Sequence, residues 1–308
     1  MLVLVNVILP VFLVAGVGAL AQPHLKLDSR VLSRAAFHLF SPAIVLDSLI
    51  NSDVSSAEYG QMVAALALTV VALWLFGEVI AKALRLDAPT RAAFLVAILL
   101  MNSGNYGMPV NFFAFGEPGL VRASLCVTFN TLVTSTVGVY LAARGQAAVG
   151  RSALRRTALR RVLAVPALYA AILGVVINLT GWNPPETVVK AIHLLGQGLV
   201  PTSLVILGIQ FVHTLQAPLE FSHVPALIFV ILGRLVVAPV VANFASGLVG
   251  LEGLSRDVVV LEMATPAAIM SLILANEFKS NSAFVALCIL ATTFASLITV
   301  TLWLNWLM

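Results

Sequence analysis

Eight consecutive residues, Asn102-Ser103-Gly104-Asn105-Tyr106-Gly107-Met108-Pro109, place amides, a hydroxyl, two glycines and a proline inside a long apolar run. In hydrocarbon, a broken helix leaves backbone N–H and C=O groups unpaired, at several kcal/mol each. Such a break persists only where protein or a bound solute satisfies those groups, and mid-membrane it marks a solute-binding site. A second interruption, Thr265-Pro266, breaks a later run. The proline biases Thr265 away from helix, and the Thr265 hydroxyl is expected to cap the half-helix that follows. Glu262 lies one turn before Pro266. An acidic group deep in a span is costly and normally has a partner or a task. Two tasks suit it: binding Na⁺ together with free carbonyls, or carrying a proton.

The first break predicts one half-helix ending near Asn102 and another starting at Pro109, because proline fits the first helical position without loss of a hydrogen bond. Each break then offers a helix N-terminus of partial positive charge and a C-terminus with free carbonyls. Paired N-termini suit an anion such as a carboxylate, and free carbonyls suit a cation. The expected solute-binding set is Asn102, Gly104, Asn105, Tyr106, Pro109, Thr265 and Pro266. Ser124, Thr128 and Asn130 form a polar stripe that either reaches the first break or bonds to carbonyls of its own helix. Arg234, near the middle of its run, has Glu78 or Glu262 as a candidate intramembrane ion-pair partner, and Glu78 is also four residues before Lys82. Asp47 ends its run and can snorkel outward; His193 is expected to be packed or hydrogen-bonded rather than catalytic. No catalytic set is expected: Ser103 lies in Asn-Ser-Gly-Asn, not in the Gly-x-Ser-Gly of an embedded serine nucleophile, and no histidine is placed to activate it. No metal cluster and no cofactor is expected either, beyond Na⁺ as a candidate coupling ion.

The elements that must position these residues follow from composition. Of 308 residues, 60% are hydrophobic and 10% charged, against about 25% charged in a soluble domain. Ten apolar runs, about 2–21, 30–50, 60–81, 91–115, 120–143, 162–180, 188–211, 222–249, 256–277 and 282–306, recur along the chain. Each is long enough to cross about 30 Å of hydrocarbon as a helix. The expected fold is therefore an all-α membrane protein of ten spans, with spans 4 and 9 broken. Residues 1–21 lack a basic region before the apolar stretch and are expected to remain as span 1 rather than be cleaved. Cys126 and Cys288 both lie inside spans, which excludes a disulfide framework.

The net charge of +4 comes from a basic stretch, 144–161, holding Arg144, Arg151, Arg155, Arg156, Arg160 and Arg161. Between membrane spans such a stretch is a topology signal rather than a nucleic-acid site. Lys26, Arg30 and Arg34 follow span 1, and Lys82, Arg85 and Arg91 follow span 3. Odd-numbered loops are thus expected in the cytoplasm, with both termini outside a cytoplasmic (inner) membrane.

The two halves resemble each other. Phe40-Ser41-Pro42 matches Val200-Pro201-Thr202-Ser203; Phe76-Gly77-Glu78-Val79 matches Leu232-Gly233-Arg234-Leu235. Ala123-Ser124-Leu125-Cys126 matches Val285-Ala286-Leu287-Cys288, and Thr90-Arg91 matches Ser255-Arg256. The four pairs keep their order at offsets of about 156–165 residues. Five spans per repeat is an odd number, so residues 162–308 must enter the membrane inverted relative to 1–143. Inverted repeats are a transporter signature, with the solute site at their interface.

The segment Asn102–Pro109 resembles the Asn-x-Gly-(Asn/Phe)-x-Gly-x-Pro signature of the auxin efflux carrier family, within the bile acid/auxin transporter superfamily. Length, span number and the basic central stretch agree over essentially the whole chain. Where many members carry Met-Pro-Pro, this chain has Ala264-Thr265-Pro266. Leu261-Glu262-Met263-Ala264-Thr265 is similar to the acidic segment of bacterial sodium/bile acid symporters. That resemblance implies Glu262, Asn102, Ser103, Ser124 and Thr128 as ligands or coupling groups for Na⁺ or H⁺. It also implies a core of spans 3–5 and 8–10 moving in an elevator or rocking motion against a scaffold of spans 1, 2, 6 and 7, through which a homodimer forms. The expected function is a secondary carrier of a small organic anion, malate, malonate or an indole acid, across the lipid bilayer. The alternatives are a ligand-binding sensor and an uncoupled facilitator.

Overall fold

A computed structural model describes residues 3–50, 54–144 and 151–308; side chains at 56, 151–155 and 179 lie outside the described set. Among the described residues the chain is helical, without a named strand. The helices are α1 (Leu4–Leu25), α2 (29–50), α3 (Ser56–Ala83), α4 (Ala88–Leu99), α5 (Ser103–Ala143) and α6 (Arg151–Leu163). They continue as α7 (Pro166–Thr180), α8 (Glu186–Leu215), α9 (Val224–Leu248), α10 (Gly253–Met263), α11 (Ile269–Glu277) and α12 (Ser282–Leu307).

Each of the ten apolar runs is mostly helical, but among the described residues six helices are long and apolar enough to cross a membrane, or seven if α6 and α7, bent by 56°, count together. The shortfall has local causes. Arg34, His38 and Asp47 lower the hydropathy of α2. Spans 4 and 9 are broken, which leaves α4 at 12 residues, α10 at 11 and α11 at 9. Helix α5 joins the second part of the fourth run to the whole of the fifth in 41 residues. Its turn is at Gly116, with φ 66° and ψ −155°, a conformation closed to residues with a Cβ, followed by Pro118. Of the basic stretch 144–161, residues 145–150 lie outside the described set, and from Arg151 the chain is helical rather than a loop.

Small residues let the helices approach closely, the usual membrane device. Helix α1 packs along α8, where Gly18 faces the Val205 backbone and Gly208 the Ala15 backbone. Helix α2 packs on α7 and on the first half of α8, with Gly174 against Leu49 and Gly196 against Ile44. A second group forms around the breaks: α3 with α4 and α9, α9 with α10 and α12, α10 with α5. Gly77 admits Leu95, and Gly233 admits Ile98. The broken helices thus sit inside the second group. Every residue from Ala92 to Ser103 and from Val258 to Ala268 is buried.

Candidate functional site

The two breaks meet. Asn102 N–H donates to Pro266 O at 2.9 Å and Ala268 N–H to Leu100 O at 2.9 Å, an isolated antiparallel bridge centred on Met101 and Ala267. Each break therefore supplies the partners that the other has lost. Further groups complete the accounting for buried polar backbone. Asn130 Nδ2 donates to Met101 O at 2.9 Å, and Ala267 N–H donates to Thr292 Oγ1 at 3.1 Å. Asn102 O accepts from Tyr106 N–H at 3.2 Å and Gly107 N–H at 2.9 Å. Of the span-5 stripe, then, Asn130 reaches the break. Ser124 and Thr128 instead bond to carbonyls of their own helix, Val121 O and Ser124 O.

Neither half-helix starts at its proline: α5 starts before Pro109 and α11 three residues after Pro266. Helix α5 begins at Ser103 with one wide π turn, six residues before Pro109, so Pro109 lies inside a helix already under way. Residues Ser103–Gly107 carry no side-chain cap at their start. Thr265 does not cap α11. Its hydroxyl donates back to Glu262 O at 2.7 Å, and α11 starts uncapped after Ala268. Two N-termini with unclaimed amides thus begin at Ser103 and Ile269.

Both N-termini line one cavity of about 440 Å³. It is bounded by Asn102, Ser103, Gly104 and Asn105 from the first break and by Ala268, Ile269 and Met270 from the second. Asn130, Ser203 and Gln210 add polar side chains, and Asn105 Nδ2 donates to Gln210 Oε1 at 3.1 Å. Tyr106, Pro109, Thr265 and Pro266, also expected as solute contacts, do not line it. Tyr106 turns into the interior, 3.0 Å from Ser296 Oγ and edge-on to Phe12.

Arg234 is fully buried and pairs with neither expected carboxylate. Its Nη2 donates to Met263 O at 3.0 Å and Thr265 O at 3.1 Å, its Nε to Thr265 O at 3.3 Å, and its Nη1 to Ile98 O at 3.4 Å. One guanidinium therefore closes the C-terminal carbonyls of both half-helices, where two negative dipole ends converge. The cation that those carbonyls favour is supplied by the chain itself. Glu78 lies elsewhere, against Arg91, Arg144 (2.6 Å) and Trp74, because it sits where three helix ends meet.

Glu262 is fully buried, and Asn111 Nδ2 donates to its Oε1 at 3.0 Å. Glu262 Oε2, Ser103 Oγ and Asn111 Oδ1 make no hydrogen bond of normal geometry among the described residues, although the Ser103 hydroxyl faces the Glu262 carboxylate. A Cβ on Gly107 would run into the Glu262 carboxylate. The glycine is a cradle for that carboxylate, which the Ser103 hydroxyl and the Asn111 amide flank. Asn111 and Gln210 escaped the sequence reading. Asn111 had a signal, an amide one turn after Gly107; Gln210 is a lone amide in an apolar helix. Asp47, expected to snorkel, is buried and bonds to His193 Nδ1 at 2.8 Å.

Residues 3–304 match the family described as membrane transport protein. The chain belongs to the auxin efflux carrier family. It is 29% identical over 288 residues to an uncharacterized transporter of Methanothermobacter thermautotrophicus, covering 90% of this chain and 88% of that one. It is 26% identical over 299 residues to an uncharacterized transporter of Methanocaldococcus jannaschii, covering 94% and 92%. This auxin efflux carrier family member is therefore a multi-pass protein of a membrane transporter family, and its crossed breaks are the place to look for a solute.

Proposed function

We propose that the protein is a secondary carrier of a small organic anion, working by alternating access in a cytoplasmic membrane with both termini outside. The observation that carries this reading is the cavity into which two uncapped helix N-termini open, and whose charged lining residues are Arg34 and Arg161 with no carboxylate. Unclaimed helix amides favour an anion. An acid the size of malate, malonate or an indole acid suits 440 Å³. Its carboxylate would sit at the N-termini of Ser103 and Ile269, with the Asn105–Gln210 amide pair opening to receive its other polar groups.

In this reading the ten apolar helical runs form two inverted repeats, 1–143 and 162–308, as in the sodium/bile acid symporter fold. The group around α3–α5 and α9–α12 is the moving core. Helices α1, α2, α7 and α8 are the scaffold and offer a homodimer surface. Coupling is assigned to Glu262. The unpartnered oxygens of Ser103, Asn111 and Glu262 fit a dehydrated Na⁺, which takes oxygen ligands, and a proton on Glu262 Oε2 is the other fitting occupant.

The test is uptake of radiolabelled malate, malonate and indole-3-acetate by proteoliposomes, with and without a Na⁺ or pH gradient. At least one acid should accumulate, and Asn105→Ala should lower its uptake at least tenfold. Uptake of no acid, or equal uptake by the Asn105→Ala variant, overturns the assignment.

A further inference from the structure

The arginines of the central stretch serve as a topology signal, yet one of them has a second position. Arg161, near the end of α6, lines the mouth of the cavity together with Arg34 of α2. The cavity runs from the buried Asn102 and Ser103 to the exposed Arg34 and His38. Arg161 Nη2 is ion-paired to Oε1 of Glu277, the last residue of α11. Glu277 itself does not line the cavity. Arg34 makes no ion pair among the described residues.

Both members of the Arg161–Glu277 pair are about a third or more exposed, at 32% and 44%. A pair so open to water is held weakly and exchanges easily. An arriving carboxylate presents Arg161 with the same chemistry as Glu277, a planar two-oxygen acceptor for the guanidinium fork. At the far end of the same cavity, charge is absent from the lining and the attraction comes from helix amides. The arrangement is a graded path, from full positive charge at the mouth to partial positive charge at the floor, of the kind that focuses a counter-ion into a cleft.

We propose that Arg161, assisted by Arg34, is a capture site at the cavity mouth for the carboxylate of the entering solute, with Glu277 as the resident competitor that the solute displaces. This rests on reading the cavity as the route of an organic anion, but its test needs no transported substrate. A cysteine placed at Thr131, which also lines the cavity, would be labelled with methanethiosulfonates of negative, positive and zero charge. The chain without this cysteine gives the background, since Cys126 and Cys288 are buried. The uncharged reagent reports access alone, so a misfolded variant is recognised by its rate.

The expected result is that Arg161→Gln lowers the ratio of anionic to cationic labelling about fivefold, the effect of one charge at roughly 8 Å in a watery cleft on two reagents of opposite sign. Arg161→Lys should keep the ratio, Glu277→Gln should raise it, and about 0.5 M salt should flatten these differences. A ratio unmoved by Arg161→Gln, or lowered by Glu277→Gln, overturns the capture site. If the ratios follow expectation while none of the acids is taken up by proteoliposomes, the capture site stands and the carrier reading falls.

Discussion

Replacing Arg234 with methionine should cost about 3 kcal/mol of stability, the largest loss expected from a single side chain here. Two effects oppose each other. Removing a fully buried charge relieves a desolvation penalty. Against that, Ile98 O, Met263 O and Thr265 O lose their donor in a fully buried region, and each unsatisfied buried carbonyl costs about 1–3 kcal/mol. Three orphaned carbonyls outweigh one relieved charge, and the ends of α4 and α10 lose the group that holds them together. Arg234→Lys should fall between, because an ammonium is a compact donor without the planar reach of the guanidinium. Thermal unfolding in detergent reads the order directly. A methionine variant as stable as the unmodified protein would mean that the carbonyls find other partners and that Arg234 is not the clamp of the two breaks.

The second large effect is on activity. Gly107→Ala should lower uptake by about 100-fold, the scale on which a displacement of about 1 Å acts at a functional centre. The added methyl meets the Glu262 carboxylate, which is fully buried and hydrogen-bonded to Asn111. Stability should change far less, by about 1–2 kcal/mol, because the carboxylate is a side chain that can shift. Glu262→Gln should give a different signature. The amide occupies the same volume but carries no charge and takes no proton, so any dependence of uptake on Na⁺ or on a proton gradient should vanish. Uptake by Gly107→Ala at the native rate would show that the carboxylate position is immaterial to transport.

Much of this was legible in the sequence. The apolar runs marked the helices other than α6, because in hydrocarbon a chain has almost no alternative to the helix; α6 lies in a basic stretch that carries no apolar signal. The break at Asn102–Pro109 was visible because glycines, amides and a proline rarely coincide in an apolar run. Its meeting with Thr265-Pro266 was expected from the similarity of the two halves, and the two breaks are joined by the bridge between Met101 and Ala267. The exact start of each half-helix was not legible. Proline marks where a helix can begin, but a wide turn over Ser103–Gly107 lets α5 start earlier, with its carbonyl Asn102 O accepting twice.

Arg234 shows a different limit. Sequence offers carboxylates as partners for a buried arginine, since backbone carbonyls are present everywhere and carry no signal. Only the geometry of two half-helix ends converging on one point makes carbonyls the better partner. Glu78 was misassigned for the complementary reason: its true partners, Arg91 and Arg144, belong to helix ends that only the packing brings together. Ser124 and Thr128 have the type and helical spacing of ligands, and their hydroxyls donate to the turn before them, as hydroxyls in an apolar helix readily do.

If the crossed breaks bind an organic anion and Glu262 couples a cation to it, both ligands must stabilise the folded protein together. Thermal unfolding of the purified protein with malate, malonate or indole-3-acetate, each with and without Na⁺ and at two pH values, is the decisive measurement, because a ligand that binds the folded state raises its stability by mass action. At least one acid should raise the unfolding temperature, Na⁺ or lower pH should enhance the rise, Asn105→Ala should abolish it, and Glu262→Gln should remove the enhancement. An acid-induced rise of equal size in the native protein and in Asn105→Ala, or no rise with any of the three acids, would contradict anion binding at the crossed breaks.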